Sequence, residues 1–170
     1  MQADRPKQYL LLDQQPVIFH TLQRLVSHPL IEGVVIALSA NDPYWPTLDL
    51  PADWPIHTTV GGEQRAESVS NALQFLKTLT DSDPWVLVHD AARPCIRHSD
   101  IDTLIHQLVE DPVGGILGVP LSETVKRVND KQLIETTVDR AGLWRAATPQ
   151  MFRLQALSKA LQQASQANIQ

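Results

Sequence analysis

The segment that most constrains the fold is a short apolar run followed at once by charged residues. Residues 85–88 read Trp-Val-Leu-Val, and His89 and Asp90 come directly after them. A strand that is apolar at every position is typical of a parallel sheet covered on both faces. Ligands of open α/β sheets bind just outside the carboxyl ends of such strands. Asp90, with Arg93 three residues later, therefore predicts a metal–phosphate site; the alternative is that Asp90 only caps the turn before Pro94.

Apolar periodicity predicts alternating strands and helices along most of the chain. Apolar runs predict strands at 33–38, 56–60, 85–88 and 115–120. Helical spacing of apolar residues predicts a helix through residues 18–26 and further helices at 66–79, from a Ser99 cap to 108, and at 154–167. The four prolines within 42–55 predict an irregular surface connection. Together these elements predict one domain over 1–170, an α/β sandwich with a mostly parallel sheet.

Residues 121–142 depart from this alternation. Two β-prone runs, 124–128 and 133–138, are joined by Asn-Asp-Lys, which indicates a hairpin. We call residues 121–142 the β-arm and predict that it projects from the domain. A projecting hairpin is seldom stable alone in water, so we expect a second copy to cover it in a homodimer. The Ala-Thr-Pro-Gln run at 147–150 is interpreted as the start of a helix.

Composition excludes several classes of protein. The net charge of −5, without a basic block, argues against a nucleic-acid partner. No apolar run approaches the roughly 20 residues of a membrane span, so no membrane partner is expected. The single cysteine, Cys95, fits the cytoplasm and is interpreted as a small buried hydrophobe rather than a catalytic thiol. The six histidines lack ligand spacing, and His89 is expected to pack or to hydrogen-bond.

A second candidate site is the segment 61–68, Gly-Gly-Glu-Gln-Arg-Ala-Glu-Ser, between a predicted strand and a predicted helix. Its glycines allow a ligand to approach the backbone, and the helix N-terminus favours an anion or a base edge. Arg65 and Ser68 add a cation and a hydroxyl. The alternative is a glycine turn with a solvated arginine. Lys7, near the start of the chain, is either a phosphate-binding lysine or an exposed terminal one.

Six motifs in one order carry a family resemblance. They are PKQYL at 6–10, GGEQRAESV at 61–69, VHDAARP at 88–94, ETVKR at 123–127, TVDR at 137–140 and LWRAATPQMF at 143–152. In this order they closely resemble the 2-C-methyl-D-erythritol 4-phosphate cytidylyltransferases of the non-mevalonate isoprenoid pathway, over essentially the whole chain. The resemblance implies a Rossmann-like nucleotidyltransferase sandwich. It also implies a reaction that transfers CMP from CTP to methylerythritol phosphate with Mg²⁺ and releases pyrophosphate.

The resemblance also implies residue roles by motif position. It assigns stabilisation of the reacting phosphates to Lys7 and Arg140. It assigns CTP binding to Lys7, Gly62, Glu63, Ser68 and Asp90, with Asp90 as the Mg²⁺ ligand. It assigns the substrate pocket to Arg93, Thr124, Arg140 and Thr148, with Thr124 and Arg140 reaching the substrate phosphate of the neighbouring subunit.

The chain departs from the family pattern at three places. The family has a strand and an AAGxGxR loop directly before PKQ, and it continues beyond the position of Gln170. A chain of this length on its own is therefore expected to be unstable or inactive. Glu123 replaces the usual aspartate, a change we expect to be tolerated. Two alternatives remain: a ribitol 5-phosphate cytidylyltransferase, against which Ala91 and Ala92 argue, and an inactive fragment that serves only as a dimerising module.

Overall fold

The computed structural model describes residues 5–167. Its α-helices are α1 (Val17–Val26), α2 (Arg65–Leu76), α3 (His98–Leu108) and α4 (Leu154–Gln166). Its strands are β1 (Leu11–Leu12), β2 (Gln15–Pro16), β3 (Val34–Leu38), β4 (Ile56–Val60), β5 (Trp85–Val88), β6 (Gly114–Pro120), β7 (Val125–Val128), β8 (Ile134–Val138) and β9 (Trp144–Arg153). Two short 3-10 segments, Lys7–Tyr9 and Trp45–Thr47, complete the list.

The central strands form two hydrogen-bonded sheets. β3 and β4 pair in parallel, with Val34 opposite Ile56. In the second sheet β9 lies between β5 and β6 and runs antiparallel to both, so that β5 and β6 point the same way. Within residues 5–167 no strand pairing joins the two sheets. The α/β class is confirmed. Of these two sheets, one is parallel and the other, because of β9, is antiparallel, so the hydrogen-bonded pairing in the described residues is less parallel than predicted.

Strand β9 corrects the interpretation of residues 147–150 as a helix start. The run lies inside β9, where the pairing with β6 shifts register between Ile116 and Gly118. Pro149 lies opposite this irregularity. Proline lacks the N–H that a regular ladder needs, and a register shift is where a strand tolerates it. Proline and threonine therefore marked a strand irregularity, not a helix cap.

The helices agree with the predicted ones except at their ends. α3 begins at His98, and the side chain of Asp100 accepts the backbone N–H of Arg97 at 3.2 Å. The prediction of Ser99 as the cap is therefore wrong, because the carboxylate three residues after Arg97 takes that function. The predicted helix at 66–79 is α2, which ends at Leu76.

Three apolar clusters hold the elements together. One packs α1 against β3 through Tyr9, Ile18, Leu22 and Ile36. The second joins α1 to α3 through Leu25, Ile96 and Ile101. The third packs α2 and α4 on β5 through Leu73, Val86 and Leu154. The second and third clusters include Leu87 and Val86 of β5 and so position the carboxyl end of that strand.

Two surface features bear on the predictions. Cys95 is exposed, so its interpretation as a buried hydrophobe is wrong; the neighbouring Ile96 takes the core position instead. The predicted β-arm hairpin is present as β7 and β8, with Leu133 and Ile134 among its exposed apolar side chains. Within residues 5–167 no helix combines the length and apolar character that a membrane span requires.

Candidate active site

The site lies where three strands end. The N–H of Gly61, directly after β4, donates to the carbonyl of Leu38 at the end of β3, at 2.7 Å. Arg65 begins α2 and reaches Asp90, which lies two residues after β5. These contacts place the segment 61–68 and Asp90 beside one another, as expected for the carboxyl edge of an α/β sheet.

The first turn of α2 fixes the glycine segment. The hydroxyl of Ser68 accepts the backbone N–H of Gly62 at 3.1 Å. The Glu67 carboxylate accepts the N–H of Glu63 at 2.8 Å and that of Gln64 at 3.3 Å. Negative charge at this end of a helix is also favourable to the helix dipole. The segment is therefore a loop whose backbone is held by helix side chains.

Asp90 lies between two guanidinium groups. Arg65 donates through Nε at 3.2 Å and through Nη2 at 3.1 Å, both to Oδ1. Arg93 donates from Nε to Oδ2 at 2.7 Å. The Asp90 side chain is 30% exposed, and those of Arg65 and Arg93 are 56% and 57% exposed. Among the described residues its carboxylate contacts these arginines and caps no backbone N–H, which favours the site interpretation over the turn cap.

The loop after β5 is held by three further hydrogen bonds. The N–H of Asp90 donates to the hydroxyl of Thr148 on β9 at 3.4 Å. The hydroxyl of Thr21, buried on α1, donates to the carbonyl of Ala91 at 2.8 Å. His89 donates from Nε2 to the carbonyl of Arg93 at 2.9 Å. Two other elements, α1 and β9, together with a bond inside the loop, thus fix the position of the carboxylate.

His89 is a hydrogen-bonding residue, as predicted from the sequence. Burial lowers its pKa, and the hydrogen bond to the Arg93 carbonyl opposes that shift only in part. The imidazole is therefore neutral near pH 7, and its Nε2 carries the hydrogen because a carbonyl can only accept.

Lys7 approaches the sheet through a buried neighbour. Tyr9, in the same 3-10 segment, is 2% exposed and donates its hydroxyl to Asp42 at 2.8 Å. Burial, together with the bond to Asp42, raises the pKa of Tyr9, which therefore stays a donor. Asp42 follows β3, so this bond holds Lys7 near the end of that strand. Lys7 itself is exposed, and among residues 5–167 its side chain makes no ion pair.

Thr124 and Arg140 lie at the base of the β-arm. A guanidinium nitrogen of Arg140 donates to the carbonyl of Ser122, two residues before Thr124. Both residues are exposed, and neither contacts Asp90 among the described residues. Within a single chain, Thr124 and Arg140 therefore lie apart from the group around Asp90.

The donor set fits a magnesium ion that arrives with phosphates. Among residues 5–167 no three His, Cys, Asp or Glu side chains cluster as a metal cage. Mg²⁺ is usually held by one or two carboxylates together with substrate phosphates and waters. Asp90 offers one such carboxylate at the strand end, next to cationic groups that suit phosphates.

The chain is similar to known proteins over nearly its whole length. The family model described as 2-C-methyl-D-erythritol 4-phosphate cytidylyltransferase matches residues 1–170. A curated protein of that name from Pseudomonas putida KT2440 is 51% identical over 163 residues, which cover 95% of this chain and 69% of the relative. One from Aliivibrio fischeri ES114 is 47% identical over 169 residues, covering 99% of this chain and 71% of the relative.

This chain belongs to the 2-C-methyl-D-erythritol 4-phosphate cytidylyltransferase family. The fold agrees with solved members. The structure of a 4-diphosphocytidyl-2C-methyl-D-erythritol synthase superposes with a TM-score of 0.84 at 32% identity, covering 98% of this chain and 81% of that one. The Francisella tularensis cytidylyltransferase gives a TM-score of 0.80 at 35% identity, covering 97% and 74%.

The residues that the resemblance to this cytidylyltransferase family singled out fall into three groups. The largest lies around the strand ends and consists of Gly62, Glu63, Ser68, Asp90, Arg93 and Thr148. Lys7 lies apart on its 3-10 segment, and Thr124 and Arg140 lie on the β-arm. Their individual roles remain predictions.

Sequence reasoning missed three residues of this cytidylyltransferase site. The sequence marks Arg65 as a cation but does not pair it with Asp90. Glu67 could have been found from its spacing to Gln64, which matches a capping box. Thr21 is a polar residue on the buried face of α1, between Ile18 and Leu22. A hydroxyl on an apolar face signals a buried hydrogen bond.

Gly62 gives a first test of the glycine segment, residues 61–68. A Cβ at this position would lie 2.2 Å from Cβ of Glu67. That atom is bonded directly to the α2 backbone, so no rotation of the Glu67 side chain relieves the clash. We expect Gly62→Ala to raise the KM for CTP about tenfold or more, since the loop must move off α2. Steady-state kinetics measure the KM for CTP, and a thermal melt measures whether the fold keeps its stability. Gly118→Ala is the control, because its nearest neighbour is the exposed ring of Trp144 at 3.3 Å. Equal KM values for Gly62→Ala and the unmodified protein would contradict the expectation.

Proposed function

We propose that this chain transfers CMP from CTP to 2-C-methyl-D-erythritol 4-phosphate and releases pyrophosphate, in isoprenoid precursor biosynthesis. Membership in the family supports the reaction. The observation that carries it onto this chain's own residues is the Asp90 carboxylate between Arg65 and Arg93, beside the glycine segment.

The chemistry suits these groups. An oxygen of the substrate phosphate attacks the α-phosphorus of CTP, and the bond from that phosphorus to the bridging oxygen of the leaving pyrophosphate breaks. Negative charge spreads over the phosphate oxygens in the transition state, so fixed cations lower the barrier. Lys7 and Arg140 supply such charges, Arg93 belongs to the substrate pocket, and the segment with Gly62, Glu63 and Ser68 holds the nucleotide.

Mg²⁺ is part of this proposal, with Asp90 as its protein ligand. A bound Mg²⁺ supplies Lewis-acid stabilisation of phosphate charge. The fixed loop after β5 supports the assignment. Thr148 and Thr21 hold the backbone that carries Asp90, so its carboxylate keeps its position when a metal ion and phosphates bind. We also propose that the protein acts in the cytoplasm, and its single cysteine supports this.

A homodimer through the β-arm completes the proposal. Val128, Leu133 and Ile134 are 52%, 61% and 66% exposed, and no other helix or strand packs extensively against the hairpin in the described part of the chain. A second copy related by a two-fold axis would cover these side chains. It would also bring Thr124 and Arg140 to the neighbouring Asp90 group, so that each site receives residues from both subunits.

Pyrophosphate release tests the reaction directly. With CTP and Mg²⁺, the natively produced protein is expected to release pyrophosphate with methylerythritol phosphate and at least tenfold more slowly with ribitol 5-phosphate. A preference for ribitol 5-phosphate would replace the substrate assignment. Dimerisation without CTP binding or turnover would instead favour the dimerising module.

A further inference from the structure

We propose that Arg65 is a positioning residue that ties the nucleotide segment to the Asp90 carboxylate, and so couples metal binding to CTP binding. The inference rests on the proposed function. Its geometric basis is the pair of hydrogen bonds from Arg65 to Oδ1 of Asp90, across 25 residues of sequence.

One turn of α2 holds both halves of the site. Ser68 and Glu67 fix the backbone of Gly62 and Glu63. Arg65, from the same turn, extends to the loop after β5. Within residues 5–167 it makes the one ion pair that joins α2 to that loop. A displacement of either half is therefore transmitted to the other through Arg65.

Arg93 does not provide this coupling. It lies three residues after Asp90 in the same loop, and its backbone N–H donates to the Asp90 carbonyl at 3.0 Å. Its contact with Oδ2 fixes the carboxylate only relative to its own turn. Arg65 takes the other oxygen and does so with two N–H groups. The guanidinium fork thereby sets the direction in which the carboxylate faces.

Two opposing effects determine the result of removing Arg65. Its positive charge, 3.1 Å from Asp90, repels an incoming metal ion, whereas its hydrogen bonds orient the ligand. The Arg65 side chain is more than half exposed, so solvent screens its repulsion of the metal ion. Hydrogen-bond partners of metal ligands typically contribute about tenfold to a hundredfold in metal affinity. Orientation is therefore expected to outweigh repulsion.

Mn²⁺ serves as the probe, measured by electron paramagnetic resonance on the natively produced protein. Arg65→Gln is expected to weaken Mn²⁺ binding to the CTP-loaded protein about tenfold. CTP affinity without metal is expected to stay within about twofold. By linkage, the factor by which Mn²⁺ improves CTP affinity falls by the same tenfold. Arg65→Lys, which keeps the charge and loses the fork, is expected to give an intermediate loss.

Arg97→Gln is the matched control, because Arg97 is exposed and its guanidinium forms no ion pair among residues 5–167, while its backbone bond to Asp100 does not depend on the side chain. Its Mn²⁺ affinity is expected to equal that of the unmodified protein, and thermal melts of all variants should agree closely. Arg65→Gln that binds Mn²⁺ equally well or more tightly would overturn the proposal, as would an unmodified protein that binds no Mn²⁺ with CTP. Failure of the unmodified protein to transfer CMP, with these Mn²⁺ differences intact, would overturn the proposed reaction alone.

Discussion

Replacing Asp90 by asparagine is expected to lower kcat/KM for CMP transfer about a thousandfold, or about 4 kcal/mol of transition-state stabilisation. The amide keeps the size of the side chain but loses the negative charge of the proposed Mg²⁺ ligand. Arg65 and Arg93 would then present two uncompensated positive charges to the site. Steady-state pyrophosphate release over a range of Mg²⁺ concentrations measures the loss.

The fold is expected to survive this change. All three side chains of the ion-pair group are partly exposed, so the pairs contribute about 1 kcal/mol or less to the free energy of unfolding. Asp53→Asn is the matched control, since Asp53 is exposed and forms no ion pair among the described residues. An Asp90→Asn protein with more than a tenth of the unmodified activity would refute the metal-ligand assignment.

Mixing two inactive variants is expected to restore activity if the β-arm completes its neighbour's site. Arg140→Ala removes the cation at the base of the arm, and Asp90→Asn removes the carboxylate at the strand end. In a hybrid dimer one site carries both defects and the other carries none. Random assembly makes half of the dimers hybrid, so about a quarter of the unmodified activity should return.

A control pair of variants shows whether restored activity comes from sites shared between subunits or from co-expression alone. Asp90 and Arg93 contact each other within one chain, so co-expressed Asp90→Asn and Arg93→Gln leave a defect in every site and should restore nothing. Differently tagged, co-expressed subunits allow the hybrids to be purified before assay. If the Asp90→Asn and Arg140→Ala hybrid is no more active than its parents, the two residues do not meet across subunits.

Local patterns were sufficient for most of the fold. The apolar run at 85–88 is β5, and the spacing of Leu154, Leu157 and Leu161 is the inner face of α4. The hairpin followed from a turn composition between two β-prone runs. Each of these signals lies within a few neighbouring residues, where steric preference and burial act together.

Features that depend on residues distant in sequence could not be predicted from local patterns. Residues 144–153 form strand β9 because β5 and β6 both pair with it, which outweighs the local resemblance of Thr148 and Pro149 to a helix start. The contact between Arg65 and Asp90 likewise exists only once β4 and β5 are packed. Motif order identified the two separate halves of the site, while the side chains that hold them together had to be seen in three dimensions.

The hydrogen bonds from Ser68 and Glu67 to the glycine segment affect binding as well as shape. Ordering a free backbone costs about 1–2 kcal/mol per residue. Here Gly62, Glu63 and Gln64 are already held by the first turn of a helix, so the ordering occurs when the chain folds. In the proposed reaction, CTP would therefore meet a preorganised surface, and more of its contact energy would remain to align the reacting phosphates.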